Sequence, residues 1–149
     1  MRRLREIVMF ITVAIIVVFA SSCGGEEYEP STIVIEDGSE NVMTISVKEV
    51  NSNNGLFVIE NCGEKKITYG DRNYLEKHID GQWMGLVEYN QRTMTEPSYE
   101  LWPGESKEYE TEWEDLEAGE YRYVLPFTVV GDETEGPGQS YYIAALFTI

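Results

Sequence analysis

The chain has 149 residues and a formal net charge of −16 at pH 7, from 27 acidic and 11 basic residues. Such an acidic protein is a poor candidate for binding nucleic acid, because phosphate contacts need clustered lysine and arginine. With one histidine and two cysteines, the chain also lacks the ligands for an ordinary zinc site.

The N-terminus has the three parts of a secretory signal peptide. Arg2, Arg3 and Arg5 supply positive charge, residues 7–20 form an apolar stretch, and small residues follow it. That stretch would form about 21 Å of helix, whereas the hydrocarbon core of a bilayer is roughly 30 Å thick. A lasting membrane span is therefore the weaker interpretation, and we predict a signal helix over residues 1–22.

Cys23 follows the small residues, in the sequence Ala20-Ser21-Ser22-Cys23. This motif resembles the lipobox of bacterial lipoproteins, in which the cysteine becomes the first mature residue and carries a diacylglyceryl group. The usual leucine is replaced by Ala20. The resemblance implies an extracytoplasmic protein attached to the cell membrane by a lipid on Cys23, since two acyl chains anchor a protein stably. An ordinary cleaved signal with a chance cysteine is the alternative.

Residues 23–31 contain Cys23 and a polar, acidic stretch without an apolar period, so we predict a flexible tether there. Residues 32–149 show no repeat and no second linker, and we predict that they form one domain. The other cysteine, Cys62, lies in a predicted turn. We interpret it as a structural residue, with an intermolecular disulfide as the alternative.

Period-two alternation and frequent turn signals predict an all-β domain of roughly seven to nine strands. Residues 32–37 are a β-branched run, and residues 43–48 alternate between apolar and polar. Residues 56–61 begin with consecutive apolar residues, which is typical of a central strand. Turn signals separate the strands that follow, at Gly70-Asp71, Asp80-Gly81 and Pro103-Gly104.

The second half of the domain continues this pattern after residues 88–97, which have no period and predict an irregular loop. Residues 106–113 alternate, with three side chains on one face: Tyr109, Thr111 and Trp113. The strand over residues 121–130 is interrupted by Pro126, which predicts an edge strand or a bulge. Residues 140–149 form the last strand.

The most informative local pattern is residues 116–122, where Tyr121 follows a turn containing Gly119. Greek-key sandwiches place a tyrosine corner there, with its hydroxyl bonded to backbone a few residues upstream. Other motifs occur at matching spacing: Tyr69-Gly70, Glu76-Lys77, Asp80-Gly81-Gln82-Trp83, Pro103-Gly104-Glu105, Trp113 and Gly119-Glu120-Tyr121-Arg122. Over residues 43–149 the chain resembles a family of bacterial immunoglobulin-like domains, found in secreted and lipid-anchored proteins, chiefly of Gram-positive bacteria.

The resemblance implies an immunoglobulin-like Greek-key β-sandwich with Trp83 and Trp113 in its core. It implies that Gly119 supplies the conformational freedom of the turn before Tyr121. The link from Trp113 to Tyr121 is shorter than the family often has, which predicts a shortened corner. The family has no catalytic residues that could be placed on this chain.

The residues themselves also contain no convincing catalytic set. His78 would have to serve every Ser/His/Asp proposal, and we predict that it is a surface residue. Acidic residues gather at 112–120 and 132–135, but their spacing does not match a calcium-binding loop. We predict a protein that is not an enzyme and has no cofactor or metal: a lipid-anchored extracellular binding or structural module with an unknown protein or cell-wall partner.

Two other functions remain open at this point. The chain could be a protease inhibitor that presents residues 88–97 or 131–139 as its loop, or a calcium-binding surface adhesion module with acidic loops. Aromatic side chains could line a surface for carbohydrate or peptide, although packing in a small sandwich is the favoured interpretation. These are Tyr69, Tyr74, Trp83, Tyr89, Tyr99 and Trp102.

Overall fold

The computed structural model of the chain describes residues 25–132 and 136–149. The predicted signal peptide and Cys23 therefore lie outside the described residues, as do Glu133 and Glu135 of the last acidic loop. Among the residues that are described, no helix is long and apolar enough to cross a membrane.

The described residues form ten strands and little helix, so the prediction of an all-β domain is confirmed. One turn of α-helix, α1, spans Val87–Asn90, and a 3-10 turn spans Ser39–Asn41. The strands are β1 (Tyr28–Pro30), β2 (Met43–Val50), β3 (Asn54–Asn61), β4 (Ile67–Tyr69), β5 (Tyr74–Ile79), β6 (Gln82–Leu86), β7 (Tyr99–Leu101), β8 (Ser106–Glu112), β9 (Glu120–Val129) and β10 (Gln139–Thr148).

These strands build two antiparallel sheets. The smaller sheet has the order β2-β3-β8, so the predicted central position of β3 is confirmed. In the larger sheet β9 is central: β10 pairs along one side of it, while β5 and β4 share the other side. Strands β6 and β1 continue the sheet beyond β5, and β7 continues it beyond β4.

The inner faces of the two sheets enclose the hydrophobic core. In one cluster Phe57 stacks on Tyr123 with ring centroids 4.4 Å apart, and Trp113 stacks on Phe147 at 5.4 Å. A second cluster gathers around the fully buried Ile59 and its neighbours on β2, β4 and β9. Both clusters lie within residues 28–149, so this segment contains a core of its own.

The predicted turn at Asp80-Gly81 is confirmed. Both residues have positive φ angles, 49° and 81°, as a two-residue type I′ hairpin requires, and they join β5 to β6. Gly at the second position adopts this conformation without steric cost.

The prediction of a strand over residues 32–37 was wrong. The backbone there is irregular, and no strand among the described residues pairs with it. The carbonyl of Ile33 instead accepts a hydrogen bond from the Arg122 guanidinium at 3.3 Å. A β-branched run supplies propensity only, and a strand also needs a partner for its backbone groups.

Strand β1 lies inside the segment 23–31 that the sequence analysis assigned to the tether. Its backbone pairs with β6, Ser31 donates to the carbonyl of Trp83 at 3.0 Å, and the Tyr28 ring packs on the core. Strands β1, β4 and β7 have three residues each, which is too short to show an alternating pattern. The count of ten strands therefore exceeds the predicted range.

The prediction of an edge or a bulge at Pro126 was also wrong, because β9 is central and its register with β10 is unbroken. Gly119 and Ile149 exchange backbone hydrogen bonds, so the odd-numbered residues of β9 bind β10. The nitrogen of Pro126 therefore faces the side of β9 that pairs with β4 and β5. It lies opposite the segment between these two strands, which does not pair with β9. A missing N–H costs nothing at that gap.

Candidate functional site

Tyr121 lies at the start of β9 with its side chain fully buried. Its hydroxyl donates a hydrogen bond to the carbonyl oxygen of Glu117 at 2.8 Å, and its ring stacks on Phe147 with centroids 5.6 Å apart. Lys77 places its ammonium 5.4 Å from the ring centroid. Burial raises the pKa of the Tyr121 hydroxyl. The link from β8 to β9 is thus tied to the core through one phenol.

Gly119 lies two residues before Tyr121 and has a positive φ of 159°, a conformation that residues with a Cβ rarely adopt. A Cβ added to it would lie 2.7 Å from Cε of Lys77. The positive φ of Gly119 agrees with the predicted conformational freedom of this turn, whereas the contact with the far end of the flexible Lys77 side chain adds little to the preference for glycine.

The two tryptophans that the family resemblance placed in the core have different positions. Trp113 is buried in the core, and its indole N–H donates to the carbonyl of Asn51 at 3.0 Å. Trp83 is half-buried on the outer face of the larger sheet, so its predicted core position was wrong. Strand β6 places it opposite His78, with ring centroids 4.9 Å apart, on the face that points away from the smaller sheet.

Arg122 explains why Trp83 is on that face. Its guanidinium lies 4.7 Å from the centroid of the Trp83 ring and forms a buried ion pair with Glu76, directly opposite on β5. Glu76 and Arg122 have only 1% and 9% of their surface exposed. Arg122 also donates to Ser31 and Ile33 in the segment that follows β1. Both residues belong to motifs of the family resemblance, but no role could be predicted for them, because only strand pairing shows that they are partners.

A second polar feature is an open groove of about 650 Å³, which we call the β8 groove. It runs along residues 107–112 of β8 and is closed on its other side by residues of β7, of the chain before β5 and of the loop after α1. The residues that line it away from β8 are Tyr69, Asp71, Asn73, Arg92, Met94 and Tyr99.

The floor of the β8 groove is a hydrogen-bonded network. The buried Tyr89 hydroxyl contacts the hydroxyl of Thr111 at 2.7 Å and the side-chain oxygen of Asn73 at 2.5 Å. Arg92 binds the same Asn73 oxygen and lies 3.4 Å above the Tyr89 ring. Burial raises the pKa of Tyr89 to about 12, although the nearby Arg92 opposes that shift. The network holds Arg92 in place at the edge of the groove.

Three tyrosine rings form the wall of the groove next to this network. Tyr69 lies 5.4 Å from Tyr99 and 6.2 Å from Tyr109 between ring centroids, and the Tyr109 hydroxyl donates to the carbonyl of Asp71 at 3.1 Å. Tyr69 and Tyr99 are two of the six aromatic residues predicted as possible surface residues. Of the other predicted aromatics, Tyr89 belongs to the floor of the groove. Tyr74, which contacts Tyr142, and Trp102, which is exposed beneath Lys66, lie elsewhere.

The remaining candidate residues do not gather into a site. Among residues 25–132 and 136–149, no group of three His, Cys, Asp or Glu side chains could hold a metal ion. The exposed Asp115 carboxylate accepts a hydrogen bond from Asn53, and Cys62 is an exposed free thiol. In the loop over residues 88–97, the start forms part of α1 and Arg92 is tied to the groove floor.

Residues 37–145 match the family model of a bacterial Ig-like domain. The chain belongs to this family. No curated protein matches it. The match agrees with the resemblance found in the sequence and includes strands of both sheets, so the prediction of an Ig-like β-sandwich is confirmed.

In the constant-type Ig arrangement, one of the two sheets has four strands. Here the corresponding sheet contains three strands among the described residues, β2, β3 and β8. Here β7, the strand that precedes β8 in sequence, pairs with β4 in the opposite sheet. In the part of the chain that the structure describes, β8 therefore has a neighbour on one side only. The β8 groove lies along the open side.

Proposed function

We propose that the chain is a non-enzymatic, lipid-anchored extracellular binding module, held at the membrane by Cys23 and using the β8 groove as its binding face. The observation that carries the proposal is the bacterial Ig-like domain over residues 37–145, preceded by a signal-like segment that ends in Cys23. Bacterial Ig-like domains are typically extracellular and generally non-catalytic.

The chemistry of the groove supports binding over catalysis. Its aromatic rings and the Arg92 guanidinium are good anchors for a partner, because they offer large contact area with few rotatable bonds. The only histidine of the chain, His78, is on the outer face of the larger sheet beside Trp83 and takes no part in the groove.

The anchor is tested by replacing the cysteine. Cys23→Ser removes the thiol that would carry the lipid, so we expect the protein to move from the membrane fraction to the medium or to remain unprocessed. Cys62→Ser is the matched control, because Cys62 is an exposed thiol within the domain, and this variant should stay in the membrane fraction. Fractionation of cells and detergent phase separation measure both. A Cys23→Ser protein that is still mature and requires detergent would overturn the proposal.

A further inference from the structure

The open edge of β8 presents backbone groups that the smaller sheet does not use. Trp113 donates to the carbonyl of Asn53 at 2.9 Å and Asn61 donates to that of Glu105 at 3.0 Å, at the two ends of the β3–β8 pairing. The register between them is continuous. Because bonded positions alternate in an antiparallel pair, odd-numbered residues of β8 bind β3.

The even-numbered residues of β8, Glu108, Glu110 and Glu112, consequently turn their backbone N–H and C=O groups toward the groove. A row of such groups on an edge strand is a template for another extended chain. Among the described residues, β8 pairs with β3 alone. The open edge runs the full length of β8, which is seven residues, so it is long enough to pair with a short extended peptide.

The side chains along this edge define the partner. Glu108, Glu110 and Glu112 are exposed on the outer face of the sheet, and Asp71 adds a fourth acidic group at the groove. Arg92 and Lys107 also line the groove, so acidic groups outnumber basic ones by four to two. In an added strand, the residues opposite these glutamates would point to the same outer face, where opposite charges across strands are favourable. Glu108 already forms an exposed ion pair with Lys48. Lysine or arginine at every second position of the added strand would therefore pair chiefly with Glu110 and Glu112.

The alternate side chains of an added strand would point the other way, toward Tyr109 and Thr111. Tyr109 is half-buried and Thr111 is buried, and the Tyr69 and Tyr99 rings stand beside them. This surface suits β-branched or aromatic side chains, which fit a pleated and half-buried position. A second copy of the same edge does not suit it, because two rows of glutamates would repel each other.

We propose that the β8 groove binds an extended basic peptide segment, in which lysine or arginine alternates with apolar residues, as an added antiparallel strand on β8. The inference deepens the proposed function and rests on the role of the chain as a binding module. Hydrogen bonds to the backbone of the even-numbered residues hold the added strand, and the Glu110 and Glu112 carboxylates select a basic partner.

The experiment measures binding of a fluorescent, end-capped peptide of alternating lysine and valine to residues 24–149, which include the whole core. Fluorescence anisotropy at about 50 mM salt keeps charge screening low. Two control peptides isolate the two parts of the proposal. One replaces lysine by glutamate, and the other keeps lysine but carries an N-methyl group on each lysine backbone nitrogen, which removes the donors that would bind β8.

We expect the lysine peptide to bind and both control peptides to bind at least about tenfold more weakly. The proposal is overturned if the N-methylated peptide binds as well as its parent, since attraction would then be purely electrostatic. It is equally overturned if the glutamate peptide binds as well, if the lysine peptide does not bind at about 1 mM, or if gel filtration shows that β8 pairs with a second copy.

Two variants at one position map the interaction to the edge. Glu110→Pro removes an N–H that points to the groove and leaves the bonds to β3, whereas Glu110→Gln removes only the charge. We expect Glu110→Gln to weaken peptide binding about two- to fivefold, as one exposed cross-strand charge pair would, and Glu110→Pro to weaken it at least tenfold. Equal binding by wild type and a folded Glu110→Pro protein contradicts strand addition; if that variant fails to fold, the N-methylated peptide still decides.

Failure here and failure of the proposed anchor are distinguishable. Peptide binding uses residues 24–149 in solution and does not depend on Cys23, whereas the fractionation of Cys23→Ser cells does not depend on the groove.

Discussion

At the scale of single residues, the two tyrosines of β9 differ in what their hydroxyl groups contact. Both rings are fully buried, but Tyr121 donates to the Glu117 carbonyl, while no group in the described part of the chain meets hydrogen-bond geometry with the Tyr123 hydroxyl. The Tyr123 hydroxyl lies near Tyr89, Tyr109 and Thr111, and burial raises its pKa well above the usual value.

Tyr121→Phe should lower the free energy of unfolding by about 1 to 3 kcal/mol, because the variant loses its bond to the Glu117 carbonyl. Tyr123→Phe should change it by less than about 0.5 kcal/mol, since it removes a buried hydroxyl that makes no such bond. Urea denaturation of both variants measures the difference. Equal costs would contradict a special role for the Tyr121 hydroxyl.

The buried pair of Glu76 and Arg122 is the second residue-scale feature, because its charges are almost completely removed from water. Glu76→Leu should cost about 3 to 5 kcal/mol, since it leaves the Arg122 charge buried without its partner. Adding Arg122→Met should restore much of that loss, because the uncompensated charge is then gone.

The exposed pair of Lys48 and Glu108 is the matched control for that experiment. Glu108→Gln should cost less than about 1 kcal/mol, because water screens an exposed pair. All four proteins can be compared by urea denaturation. If the double variant, Glu76→Leu with Arg122→Met, is no more stable than Glu76→Leu alone, the buried charge of Arg122 is not the cause of the lost stability.

At the scale of elements, β1 decides where the domain begins. Its residues pair with β6, and Val87 donates to the carbonyl of Glu27 at 2.9 Å, so the chain is held against the larger sheet on both sides of Tyr28. Tyr28 also packs on the core cluster and lies 5.7 Å beneath the Lys77 ammonium. Hydrogen bonding and burial together make this short strand part of the fold.

Tyr28→Ala should therefore lower stability by about 1 to 3 kcal/mol, the usual value for losing a partly buried aromatic side chain. Glu29→Ala in the same strand should have an effect below about 0.5 kcal/mol, because that side chain is exposed. Thermal or urea denaturation of residues 24–149 compares them. If neither variant changes stability, residues 23–31 act only as a tether.

At the scale of the whole molecule, buried tyrosines from several elements link the sandwich to pH. Burial raises the pKa values of Tyr89, Tyr109, Tyr121 and Tyr123 above the ordinary value of 10.0. Each hydroxyl stays protonated in the fold at a pH at which it would ionise in the unfolded chain. Their contribution to the free energy of unfolding is therefore complete below pH 10, and it is lost as the pH rises through the pKa that each hydroxyl has in the folded protein.

We expect the domain to lose stability steeply between about pH 10 and 12, and Tyr89, with its pKa of about 12, should account for roughly 3 kcal/mol of that loss. Tyr89→Phe cannot ionise, so its stability should fall less over the same range. Urea midpoints from pH 8 to pH 11.5 measure both proteins. Parallel curves for wild type and Tyr89→Phe would contradict the assignment to Tyr89.

Much of the local structure could be predicted from the sequence, because the signals involved are local. Alternation over residues 43–48 and 106–113 marks β2 and β8, and consecutive apolar residues mark the central β3. The Asp80-Gly81 pair specifies its own turn, since positive φ angles select such residues. The order and spacing of motifs around Trp113 and Tyr121 pointed to the family.

Other features depended on pairing between distant segments, and no local pattern predicts that. The run over residues 32–37 has strand propensity without a neighbouring strand, and Pro126 is accepted in a central strand because β9 faces a gap between β4 and β5. Glu76 and Arg122 become partners only through the register of β5 with β9.

The sequence by itself determined the all-β class, the family, the acidity and the signal-like N-terminus, because composition, periodicity and motif order are properties of the chain. Only the tertiary structure decided where the open edge lies. Strand β7 pairs with β4 and leaves β8 uncovered, which places Tyr69, Tyr99 and Tyr109 around one groove. The physical reason is that backbone hydrogen bonding joins segments far apart in sequence, and the choice of partner strand determines which edge stays free.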